Sequence, residues 1–262
     1  MQKIAICYAK TEAFMEDIKL YGVKIDNVTR KDALKRSLCI TGEPCVVFTP
    51  NALMLEQCRR DVELATLLNH ASLSLPDGAG VLWAARKMGT PLFERVAGID
   101  FGLDLLAHAD EAGLRVFLLG GGEGVAERAA EKMRKKHPRL CICGTTWGYF
   151  NKIGEENTRV VSYIRACRPH ILLVCMGFPI QERWVIENLY HLADIRVIAC
   201  LGGSLDVWSG EVRRAPDWMS RAGLEWLWRM LRQPKRLSAL PQIASFLWHV
   251  PQKAEVIGRN PL

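Results

Sequence analysis

Along most of the chain, short apolar runs alternate with longer stretches in which apolar side chains recur every three or four positions. Runs over 4–8, 45–49, 73–75, 115–119, 141–145, 171–176 and 197–201 read as strands. Amphipathic patterns over 31–39, 52–69, 81–88, 101–112, 125–136, 155–166 and 182–192 read as helices. Most of the strands are continuously apolar, the mark of strands covered on both faces. The alternation predicts an α/β fold: a Rossmann-like parallel sheet with helices on both faces. A soft boundary near Gly113 would divide this body into two lobes.

The pattern changes near Arg213. Two helical stretches follow, 217–232 and 242–250, set off by Gln233-Pro234 and Leu240-Pro241. In the first, Met219, Ala222, Gly223, Trp226, Leu227, Met230 and Leu231 form one apolar face, flanked by Arg221, Arg229 and Arg232. Five of the eight tryptophans (Trp208, Trp218, Trp226, Trp228 and Trp248) lie here or just before. The expected organisation is a body over 1–212 and a basic, Trp-rich helical appendage over 213–262.

Charge sharpens that division. The net charge is +7, and between Glu211 and Arg236 seven Lys/Arg face three acids. Such an excess points to a polyanion: nucleic acid, anionic lipid or a diphosphate. Tryptophan beside arginine favours a helix lying in a membrane interface over a nucleic-acid arm or a helix docked on its own core. The longest apolar run, 171–178, is far short of the roughly 20 residues a spanning helix takes. The N-terminus shows no small-residue cleavage site, so a cytoplasmic protein held on a membrane surface is expected. Nine cysteines without a framework read as reduced thiols, and Cys141-Ile142-Cys143 is too tight for a usual zinc knuckle.

Candidate chemistry sits at strand ends, where open α/β sheets bind ligands. Leu118–Glu127, with Gly120 and Gly122, is a Gly-rich strand-to-helix turn suited to a phosphate, but its third position is Val125, against a dinucleotide fingerprint. Two more turns carry Gln181 and Glu182, and Ser204 and Asp206. Asp77, in Leu75-Pro76-Asp77-Gly78, reads either as the cap of the helix that follows or as a general base, and the residues alone lean to the cap. Thr49 and Asn51 close the preceding strand in the same way. Arg95 reads as an anion ligand or, by default, a surface salt-bridge partner.

Taken together, Thr49-Pro50-Asn51, LPDGAG (75–80), RVAGID (95–100), Gly148-Tyr149-Phe150, GFPIQE (177–182), GSLDVWSG (203–210), Arg214-Ala215-Pro216 and GLEWLWR (223–229) resemble the WecG/TagA/CpsF family of glycosyltransferases, in order from about Val23 to Arg236. The resemblance implies transfer of a sugar, most often N-acetylmannosamine, from a UDP donor to N-acetylglucosamine on undecaprenyl diphosphate. The setting is the cytoplasmic membrane face, for teichoic acid or other surface polysaccharides. It makes Asp77 the base and Arg95 the phosphate contact, with Thr49 and Asn51 beside them. Gln181 and Asp206 would hold the donor, with Glu182 and Tyr149 in the same substrate-binding set and the Gly120–Gly124 turn near the nucleotide. Arg214, Arg229, Arg232 and Arg236, with Trp226 and Trp228, would meet the lipid diphosphate and the membrane. Members often carry a further Arg a few residues on, where this sequence has Ser238-Ala239, leaving Arg232 or Lys235 to substitute. No Asp-x-Asp pair occurs, so neither a cofactor nor a metal is expected. Expected partners are the UDP-sugar, the lipid-linked acceptor and an anionic membrane, not nucleic acid; a homo-oligomer is left open. Another UDP-sugar for capsule or exopolysaccharide, or a non-catalytic nucleotide-sugar binder, are the alternatives.

Overall fold

The structure is a computed structural model that describes residues 17–40, 42–221, 223–232, 234–251 and 255–257. The predicted strand over 4–8 lies outside the described residues.

Six parallel strands make the central sheet: β3 (Cys45–Phe48), β4 (Leu73–Ser74), β5 (Arg115–Gly120), β6 (Cys141–Thr146), β7 (Ile171–Cys175) and β8 (Val197–Cys200), in the order β4-β3-β8-β7-β5-β6. The apolar runs are continuous because both faces of the sheet are covered. In β3, Val46 and Phe48 pack into one core cluster while Cys45 and Val47 pack into the other. In β7, Leu172 and Val174 oppose Ile171, Leu173 and Cys175 in the same way. A buried, β-rich run of this kind is stable only between two layers of helix.

Those layers follow from the connections. After β3 come α2 (Ala52–Arg60) and α3 (Val62–Leu68); after β4 come α4 (Ala79–Lys87) and α5 (Gly98–Ala112). Then α6 (Val125–Lys136), α7 (Glu155–Cys167), α8 (Ile180–Asn188) and α9 (Ser204–Ser209) follow β5, β6, β7 and β8 in turn, and α1 (Arg30–Cys39) precedes β3. The helix expected over 52–69 is two helices. Asp61 ends α2 and caps α3, its carboxylate accepting the Glu63 and Leu64 N–H groups. The end of the pattern over 182–192 tightens into a 3₁₀ turn, Leu189–Leu192.

Neighbouring β3 and β8 send their chains to opposite faces. Leu55 of α2 joins one core cluster, and Leu205 of α9 joins the other. Strand order therefore reverses between β3 and β8, which opens a crevice at their carboxyl ends.

A second, antiparallel sheet, β2-β1-β9, joins β1 (Asp17–Leu20) and β2 (Val23–Ile25) to a strand from the far end of the chain, β9 (Glu255–Ile257). Before β9 the C-terminal segment forms α10 (Asp217–Arg221), α11 (Glu225–Arg232), a 3₁₀ turn (Pro234–Ala239) and α12 (Leu240–Trp248). The single helix expected over 217–232 is interrupted at Gly223, where φ is +74° and an added Cβ would lie 2.7 Å from Ala79 Cβ. Glycine there lets the segment turn and press against the start of α4.

Candidate active site

The strand-end turns at the crevice are tied together by their backbones. Leu75 N–H donates to Phe48 O (2.8 Å) and Asp77 N–H to Pro50 O (3.1 Å), which holds the β4 turn against the β3 turn. Thr49 is buried at the switch point, its hydroxyl donating to Cys200 O of β8 at 3.2 Å. A cavity of about 560 Å³ opens above these turns. Thr49, Asn51, Asp77, Arg95, Gln181 and Ser204 contribute to its polar wall.

The helix-capping role that the residues alone favoured for Asp77 falls to Asn51 on its own helix and not to Asp77. Asn51 is the cap, its side-chain oxygen accepting the Leu53 and Met54 N–H groups at the head of α2. The N-cap of α4 is Gly78, which has φ +94° and no side-chain capping bond. The Asp77 carboxylate turns instead toward α5 and accepts the Gly98 N–H at 3.4 Å. It is thus half-buried in the cavity wall at the N-terminal end of a different helix. Arg95 is no surface partner: 20% exposed, it faces Glu225 of α11 across 3.5 Å, and both line the cavity.

Glu225 is the wall residue that motif reading missed. It stands inside the GLEWLWR stretch (223–229), among tryptophans and arginines that carry the stronger signal. The apolar side of the cavity was equally hidden: Trp226 and Met230 from α11, with Ile243, Phe246 and Leu247 from α12, roof it opposite Leu53 and Met54. Phe246 is fully buried and packs edge-on to Tyr21, centroids 5.7 Å apart. The Tyr21 hydroxyl donates to Phe246 O, and the Ser245 hydroxyl donates to Glu56 of α2 at 2.7 Å. Burial alone would raise the Glu56 carboxyl, but hydrogen bonds from Arg59, Ser245 and Arg60 outweigh it and bring it down to about 2. An anchor that stays ionised down to about pH 2 therefore sits under α12.

Several expected site residues stand outside the cavity lining. Tyr149 is exposed, on the loop after β6, and Asp206 lies in the first turn of α9. Gly122 belongs to the β5–α6 turn without reaching the cavity, and Gly120 has a packing reason of its own: an added Cβ would stand 2.1 Å from Cys175 O. Glu182 is fully buried behind Gln181.

The arginines divide as well. Arg214 donates to Asp100 of α5 at 2.7 Å, which pins the C-terminal segment to the body. Arg232 is exposed and lies over the Trp228 ring, whose indole N–H donates to Arg213 O. The side chains of Arg229, Lys235 and Arg236 lie outside the described residues.

Residues 18–257 match the model of the Glycosyl transferase WecG/TagA/CpsF family. A Bacillus subtilis (strain 168) protein named N-acetylglucosaminyldiphosphoundecaprenol N-acetyl-beta-D-mannosaminyltransferase is 34% identical over 202 residues, 76% of this chain and 77% of its own. Proteins of the same name from Bacillus spizizenii (32% over 219 residues; 84% and 80%) and Staphylococcus aureus strain MW2 (28% over 248 residues; 92% and 95%) are also similar. With most of its length matched by the family model, the chain belongs to the WecG/TagA/CpsF family of glycosyltransferases.

Proposed function

We propose that this enzyme transfers N-acetylmannosamine from a UDP donor to the N-acetylglucosamine of an undecaprenyl diphosphate, at the cytoplasmic face of the membrane. The product would feed teichoic acid or a related surface polymer. The observation that carries the reading is one cavity at the sheet's switch point with Asp77 and Arg95 both on its wall, in a family whose similar members are named for this transfer.

In the proposed step, Asp77 takes the proton of the acceptor's attacking hydroxyl while that oxygen bonds to the donor's anomeric carbon. The bond from that carbon to the diphosphate oxygen breaks, its electron pair leaves with UDP, and the sugar inverts. The Gly98 N–H at the N-terminal end of α5 holds the Asp77 carboxylate on the cavity wall, where it can meet the acceptor hydroxyl. Arg95 supplies positive charge to the departing diphosphate, exchanging Glu225 for phosphate oxygens. Thr49 and Asn51 frame the pocket, and no metal is assigned a part.

The C-terminal segment supports a membrane role. Trp218, Leu231, Leu237, Leu240 and Trp248 are all exposed on it, and among the described residues no helix is long and apolar enough to cross a membrane. The test supplies UDP-N-acetylmannosamine, other UDP-sugars in parallel, and a short-chain polyprenyl-diphosphate N-acetylglucosamine, and measures UDP release. Acceptor-dependent release is the expected result; release that ignores the acceptor would contradict the reading.

A further inference from the structure

Gln181 is the most heavily tied side chain on the cavity wall. Its oxygen accepts three backbone N–H groups: Met176 and Gly177 from the β7 turn (both 3.2 Å) and Gly202 from the β8 turn (3.1 Å). One amide hydrogen of its nitrogen goes to Glu182 Oε1 at 2.8 Å. The other has no acceptor among the described residues, and Gln181 lines the cavity.

Three donors converging on one oxygen fix where it sits, but leave the amide free to swing about it. What selects the orientation is the acceptor on the nitrogen, and that acceptor is Glu182. Glu182 is 0% exposed, and its Oε2 has no hydrogen-bond partner among the described residues. Its charge reaches the thiols of Cys58 on α2 and Cys200 on β8, both pushed upward chiefly by burial. Among the described residues no cation offsets its burial, unlike Glu56. Burial pushes the Glu182 carboxyl up to about 7, against the hydrogen bonds from Gln181 and its own backbone N–H. A core position that tolerates so poorly solvated an acid needs a reason beyond packing.

We propose that Glu182 is a positioning residue: it holds the Gln181 amide so that its second N–H faces the cavity and donates to an oxygen of the bound sugar nucleotide. The inference rests on the proposed UDP-sugar reading for its ligand, but not for its geometry. Ionisation of Glu182 strengthens its bond to Gln181 by adding charge to the acceptor, so the grip on the amide tightens as the acid titrates.

The experiment compares Glu182→Gln, which keeps an acceptor at Oε1, with Glu182→Leu and Glu182→Met, which do not. The first readout is the Gln181 side-chain amide in ¹⁵N NMR of the full chain without ligand. Its two proton signals are expected to shift with pH around 7 in the wild type and not in Glu182→Gln. The second is binding of UDP-N-acetylmannosamine by calorimetry. Leucine or methionine is expected to weaken it about tenfold, with thermal stability at pH 8 equal or higher, while Glu182→Gln stays near wild type. Opposed movement of binding and stability is what a merely structural role would not produce. Wild-type binding by a folded leucine or methionine variant, or equal loss in Glu182→Gln, would overturn the proposal. Absence of binding by the wild type would instead remove the UDP-sugar reading, with the NMR titration still judging the Glu182–Gln181 pair.

Discussion

The floor of the cavity and its roof are built by different rules. The floor consists of strand-end turns whose polar atoms are paired within a parallel sheet: Thr49 to Cys200, Asp77 to Pro50 and Gly98, Gln181 to three backbone N–H groups. The roof is apolar, from Trp226 to Leu247, and rests on separate pins: Arg214–Asp100, Arg95–Glu225, Ser245–Glu56 and the pairing of β9 with β1. Chemistry that needs fixed geometry sits on the part that cannot move without unfolding the sheet. The C-terminal roof is held by contacts that can be broken one at a time.

The harshest way to break the comparison is to remove the roof. Truncation before Arg213 is expected to abolish both turnover and binding to anionic liposomes, while far-UV circular dichroism retains the signature of the α/β body. Liposome binding that persists would detach the membrane role from this segment. Next, Phe246→Ala should cost about 3–5 kcal/mol of local stability. Hydrogen exchange should then speed up across 240–248 while the amides of β7 and β8 keep their protection.

The two regions should also answer pH with opposite sign. Glu182 in the floor has its folded value raised from 4.5 to about 7, so its contribution is fully present below pH 4.5 and lost as pH rises through 7, roughly 3 kcal/mol in all. Glu56 under the roof is lowered to about 2, so its contribution is present above pH 4.5 and lost as pH falls toward 2. Thermal unfolding from pH 2 to 8 should therefore lose its alkaline slope in Glu182→Gln and part of its acid slope in Glu56→Gln. The smallest effect belongs to the Arg214–Asp100 pin: a double-mutant cycle should give a coupling of about 0.5–1 kcal/mol, since both groups are partly solvated. A coupling of zero would mean that Arg214 is held for another purpose.

The same contrast explains what could be read from the residues. The sheet was legible because strands buried on both faces have to be continuously apolar, as 171–176 and 197–201 are. The three-residue strands β2 and β9 carry no period long enough to register, and β9 is a strand only because β1 lies beside it. The break at Asp61 had a local sign, an aspartate inside a helical pattern, which the long apolar period concealed. Thr49, Asn51, Asp77 and Gln181 were singled out at strand ends and Arg95 as a lone basic residue before a small apolar turn, and all five line one cavity. The choice between cap and base for Asp77 needed the fold, because the carboxylate serves α5, 21 residues on, rather than the helix it precedes. Glu225 and Phe246 reach the cavity only through docking of the C-terminal segment, and no local pattern encodes that.

The central claim is that Asp77 removes the acceptor proton, and Asp77→Asn tests it most directly because the substitution keeps size and hydrogen-bonding shape while deleting the base. Turnover of UDP-N-acetylmannosamine with the polyprenyl-diphosphate acceptor is expected to fall by at least about 100-fold, with UDP affinity and thermal stability close to wild type. Undiminished turnover in the folded variant would contradict the account.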